Sequence, residues 1–219
     1  MIQEKIAAIR KELPAHVQLI AVSKTKPSSS VQEAYEAGQR AFGENKVQEM
    51  AAKYEELPKD IQWHLIGHLQ TNKVKYIAPF VHLIHAVDSI RLLKEIDKEG
   101  RKNNRIINCL LQFHIAEEET KFGLSFDEAK ELLESDDYLQ LTHVNITGVM
   151  GMASFVENQE QVESEFRELN NIFMILKSHF FKFNPDFKEI SMGMSGDYRI
   201  AIEQGSTMVR IGSTIFGNR

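Results

Sequence analysis

Ile20-Ala21-Val22-Ser23-Lys24 is an apolar run that ends abruptly in an amine. Read as a strand near 18–24, it is the first of eight. Further short apolar runs stand near 40–44, 62–67, 82–87, 106–113, 144–150, 188–193 and 208–212. Helical patterns separate them: Ser30 to Ala37 stopped by Gly38, Lys46 to Glu56, Asn72 to Ala78 and Ile90 to Asn103. Phe126 to Glu134 follows, opened by the Ser125/Glu128 capping box, then Glu157 to His179 and Asp197 to Gln204. Met1 to Leu13 adds a helix before the first strand. Strict alternation of strand and helix calls for a parallel sheet. Eight units can close as a (β/α)8 barrel of typically about 250 residues. At 219 residues the chain is a compact example, a single domain over 1–219. A doubly wound open sheet is the rival, weakened because no GxGxxG follows the first strand.

Composition removes several function classes. The chain has 26 basic and 31 acidic residues, a net charge of −5, and no basic block, which argues against nucleic acid. The N-terminus has no signal-peptide h-region, and no apolar stretch approaches the roughly 20 residues that span a bilayer. A cytoplasmic monomer without a membrane partner is expected. The one cysteine, Cys109, sits in an apolar run and reads as a buried core residue.

In a barrel, chemistry gathers at the C-terminal strand ends. Those ends carry Lys24, Gly43-Glu44-Asn45, His64 to Gln70, Asp88-Ser89, Met150-Gly151-Met152, Met192 to Gly196, and Arg210 with Gly212-Ser213. Lys24 shares a strand face with Val22, which aims the amine into the barrel; a solvated strand-end lysine is the plain alternative. Arg210 lies on the face of Gly212, either as a structural ion pair or as a donor to a heteroaromatic nitrogen. Ser195-Gly196 and Gly212-Ser213 fall in the loops after strands seven and eight, where barrels often bind phosphate, and the helix from Asp197 would point its N-terminus there. An amine, a guanidinium and two Gly-Ser corners suit an aldehyde cofactor with a ring nitrogen and a phosphate. His64 and His68 lie roughly 13 Å apart along a strand, too far for one metal ion. His85, His114 and His143 read as packing or hydrogen-bonding groups at strand ends. No GxSxG supports a serine nucleophile. The stretch Glu117-Glu118-Glu119-Thr120-Lys121 reads as a solvated loop.

Val22-Ser23-Lys24-Thr25-Lys26-Pro27, Phe42 to Glu49, Trp63 to Lys73, Gly148 to Ala153, Ser191 to Ser195 and Gly205 to Gly217 resemble, in order, the signatures of the pyridoxal phosphate homeostasis protein family. The resemblance implies a barrel like the N-terminal domain of alanine racemase. It implies pyridoxal 5′-phosphate (PLP) as a Schiff base on Lys24, Arg210 at the pyridine nitrogen, Ser195, Gly212 and Ser213 around the phosphate, and Asn45 near the ring. Gln112-Phe113-His114-Ile115 in strand five and Tyr198-Arg199 depart from the usual pattern, at the pocket wall. Alanine racemase completes its site with a second domain, and this chain ends at Arg219, so the cofactor face is expected to stay open. A PLP carrier without robust turnover, serving apo-enzymes, follows; a slow PLP-dependent amino-acid racemase is the alternative.

Overall fold

The computed structural model describes residues 1–117 and 122–217. Helix α1 (Ile2–Glu12) precedes eight strand-to-helix units. The strands are β1 (Gln18–Val22), β2 (Ala41–Glu44), β3 (Gln62–Leu65), β4 (Leu83–Val87), β5 (Ile107–Phe113), β6 (Val144–Gly151), β7 (Glu189–Met194) and β8 (Met208–Ile211). All pair in parallel, each with its sequence neighbour, and β1 with β8 closes the barrel. The open-sheet alternative is thereby excluded.

The outer layer holds α2 (Ser28–Glu36), α3 (Val47–Glu56), α4 (Val74–Ile77), α5 (Ile90–Lys102), α6 (Phe126–Glu134), α7 (Asp136–Leu139), α8 (Gln159–His179), α9 (Tyr198–Glu203) and α10 (Ser213–Phe216). Their ends obey local chemistry. Gly38, at φ +84°, ends the α2 turn. The Ser125 hydroxyl accepts from the Glu128 N–H at 3.2 Å, and the Glu128 carboxylate accepts from the Ser125 N–H at 2.8 Å. Ser89 caps α5 on the Leu92 N–H, and Leu92, Leu93 and Ile96 of that helix turn inward. The four-residue helices α7 and α10 leave no periodicity to read, so Ser213 opens a helix where the sequence suggests a loop. Among the described residues, no helix is long and apolar enough to cross a membrane. Glu118 to Lys121, most of the charged stretch noted in the sequence, lies outside the described residues.

Two cores result. The larger packs the helices onto the barrel's outer face, with Phe42, Trp63, Phe166 and Phe187 buried. The smaller fills the barrel interior with Ile20, Ala41, Leu83, Ala86, Leu110, Met150 and Met208. Register sets what lies above that floor. Ile20 stands opposite Arg210, Val22 opposite Gly43, and Arg210 opposite Met194.

Candidate functional site

A cavity of about 790 Å³ opens at the C-terminal ends of the strands. Lys24, Asn45, Ser195, Arg210, Gly212 and Ser213 all line it, so the structure brings together the six residues expected around the cofactor, while Glu44, His64, Asp88 and Ser89 do not line it. Val22 lines it too, as expected from sharing a face with Lys24. Lys24 is half-buried. Asn45 is held by a close backbone approach: a Cβ on Gly67 would lie 2.4 Å from the Asn45 carbonyl oxygen.

The loops after β7 and β8 are tied to each other, since the Gly212 N–H donates to Ser195 Oγ at 3.3 Å. A Cβ on Gly212 would stand 3.1 Å from the Val22 carbonyl oxygen, a tight contact with β1 that favours glycine here. Beside Gly196 a Cβ would meet nothing within 4 Å; that backbone faces open space. The start of α9 differs from expectation. Asp197 lines the cavity, and its Oδ1 accepts from the Met194 N–H at 2.5 Å. The six-residue helix therefore brings a carboxylate of its own to the spot read as favouring an anion.

Arg210 is 4% exposed. It donates to Ser191 Oγ at 2.6 Å and to the Gly151 carbonyl at 3.0 Å. Among the described residues no carboxylate forms an ion pair with it. Burial pushes its guanidinium down to about 10, against the more distant charge of Asp197. The network continues inward: Ser191 Oγ lies 2.9 Å from His85 Nδ1, and His85 Nε2 lies 2.9 Å from His64 Nδ1. Arg210 donates to Ser191 Oγ, which has a second lone pair as well as its own hydroxyl proton, so the two His contacts run in either direction according to the ring tautomers. The chain ends on His64 Nε2, which is buried with no partner among the described residues. Both rings are neutral: burial lowers His64 to about 3 and His85 well below its ordinary value. This corrects the placement of His85 at a strand end; it sits inside β4, in the barrel interior. Polar residues at inward positions of β3 and β4 were the signal that could have paired them. Among the described residues, no cluster of three His, Cys, Asp or Glu side chains could hold a metal ion.

Gln112 supplies the wall, its amide donating to the Phe122 carbonyl at 3.1 Å, while Phe122 stacks on His68 at 4.6 Å. Cys109 is fully buried and burial raises its thiol, as a core residue should show. Two residues behind Lys24 were not foreseen. Glu44 is fully buried on the outer face of β2 and paired at 2.6 Å with Lys53 of α3. Burial raises the Glu44 carboxyl, outweighing the opposing hydrogen bonds from Lys53 and Ser23.

The whole chain, residues 1–219, matches the family model described as alanine racemase, N-terminal domain. A protein of Aquifex aeolicus named pyridoxal phosphate homeostasis protein is 42% identical over 203 residues, spanning 92% of this chain and 87% of its own. The chain belongs to the pyridoxal phosphate homeostasis protein family. Among solved structures, PipY of Synechococcus elongatus without PLP superposes with a TM-score of 0.92 at 36% identity, covering 99% of this chain and 100% of that one. PipY with PLP bound superposes at 0.89 with the same identity and coverage. The strand order and the added α1 found here are thus those of a family whose members share the barrel over nearly their full length.

Proposed function

We propose that this cavity binds PLP and that the chain serves homeostasis of that cofactor as a carrier. The observation that supports the reading best is the convergence of an amine, a buried guanidinium and two small-residue loops on one cavity. The residues suit the group. Arg210 is a buried cation without a paired carboxylate among the described residues, and only two of its five N–H donors have protein acceptors. A ligand acceptor such as a ring nitrogen answers that need. Ser195 and Ser213 offer hydroxyls, and Gly196 leaves its backbone approachable, for a phosphate, with Gly212 lining the same corner. Lys24 is the amine for the covalent link, with Asn45 beside the ring.

When bound, the cofactor supplies an aldehyde that bonds to amines and a ring that withdraws electrons from that bond. Arg210 donates to the ring nitrogen and keeps its own proton at neutral pH, so the nitrogen stays unprotonated and the electron sink weak. The titratable side chains lining the cavity, among the described residues, are Lys24, His68, Asp197 and Arg210. A racemase needs an acid and a base on opposite faces of the reacting carbon. Of this set His68, 3.9 Å from Asp88, and Asp197 are the candidates for the second group, and the slow-racemase reading, which comes from the likeness to the alanine racemase barrel, would need one of them. The carrier is cytoplasmic and monomeric in this reading, and its partners are apo-enzymes that require the cofactor. Solvent exchange at Cα of L-alanine in D2O, followed by NMR on the loaded protein, separates the two. Little or no exchange is expected; rates on the order of 1–10³ s⁻¹, typical of enzymes, would favour the racemase.

A further inference from the structure

We propose that Lys53, Glu49 and Glu44 are positioning residues that clamp the backbone on both sides of Lys24 and so aim its amine into the cavity. The inference rests on the reading of Lys24 as the covalent attachment point. Lys24 lies two residues past the end of β1, beyond the reach of the barrel ladder. The Ser23 N–H still donates to the Gly43 carbonyl of β2 at 3.0 Å, and the Ser23 carbonyl closes a turn on the Lys26 N–H at 3.1 Å; further contacts reach both neighbours from outside the barrel. Ser23 is fully buried; its hydroxyl donates to Glu44 Oε1 at 2.6 Å, and its carbonyl accepts from Lys53 Nζ at 2.8 Å. On the other side, the Thr25 N–H donates to Glu49 Oε1 at 2.6 Å. Lys53 joins the two halves, donating also to Glu44 Oε1 at 2.6 Å and Glu49 Oε1 at 2.9 Å. The three donors of its ammonium are all used. Glu49 and Lys53 stand four apart on α3, so one helix face carries both.

α3 docks on the barrel through the buried side chains of Val47 and Met50 and the pair between Lys53 and Glu44. The remaining contacts fall on the two peptide units that flank Lys24. One of them holds a conformation the chain resists: Thr25 sits at φ +64°, the left-handed region, which a β-branched residue rarely enters. Lys24, in the turn that follows β1, lines the cavity while its neighbours are gripped from behind. An amine held in one direction meets an aldehyde without first ordering its own loop.

The test uses Glu49→Ala, which removes the acceptor for Thr25 but spares the buried Lys53–Glu44 pair, and Glu49→Gln, which keeps an acceptor oxygen. Each is compared with the unmodified chain in three measurements. These are the rate of covalent adduct formation with PLP by stopped-flow absorbance, the affinity for pyridoxine 5′-phosphate, which has no aldehyde, and hydrogen exchange of the Thr25 amide by NMR. Glu49→Ala should slow the adduct by about tenfold or more, leave pyridoxine 5′-phosphate affinity within about twofold, and speed Thr25 exchange; Glu49→Gln should restore most of the rate. Equal losses for both ligands, an unchanged adduct rate, or unchanged Thr25 exchange would overturn the clamp. If the unmodified chain forms no adduct on Lys24, the attachment reading falls first, and the clamp with it.

Discussion

Among the described residues two cations are buried, Lys53 and Arg210, and they are treated oppositely. Lys53, behind the wall at β2 and α3, meets two carboxylates and a carbonyl. Arg210, at the cavity floor, meets a hydroxyl and a carbonyl, backed by two neutral histidines. A buried charge is costly unless paired. Lys53 is compensated within the protein, whereas Arg210 has N–H donors left for something the protein does not supply. The difference separates a charge retained for structure from one retained for a ligand.

The sharpest way to break this contrast is to remove each cation. Lys53→Met leaves Glu44 buried without its partner, and should cost about 3–5 kcal/mol in urea unfolding. Arg210→Met leaves no charge stranded. The unliganded protein should lose no more than about 1–2 kcal/mol, while affinity for PLP falls by an order of magnitude or more. Equal unfolding costs for the two variants would make Arg210 a structural residue like Lys53.

A smaller effect tests the neutral floor beneath Arg210. Folded, His64 stays neutral down to about pH 3, and His85 is likewise depressed. Unfolded, both take a proton below about pH 6.5. The unfolded chain then binds more protons, so stability should fall as pH drops from about 6.5 toward 3, by about 1.4 kcal/mol per unit for His64, with His85 acting in the same direction. His64→Gln should flatten that slope by about one ring's share. A slope that does not change would mean that His64 is charged in the folded state.

The contrast also marks what the sequence could reveal. The eight strands, their order and the closed barrel were legible because each strand is a short apolar run bounded by helical periodicity. The cavity residues were legible because they interrupt such runs at the end where barrels place their chemistry. Lys53 was not. It lies in a helix where a lysine ordinarily faces water, and its burial appears only once α3 docks on β2. Glu44 read as one of three residues, Gly43-Glu44-Asn45, at a strand end. Alternation in fact sends it outward, while Gly43 contacts the interior residue Ile20 and Asn45 lines the cavity. The tie between His64 and His85 spans two strands, and no local pattern carries it.

The most direct measurement of the central claim is to incubate the protein with PLP, reduce with borohydride and map the peptides. One pyridoxyl phosphate on Lys24 is the expected result, and Lys24→Ala should stay folded and take none. Label confined to Lys26 or Lys73, or no label at all, would contradict the account.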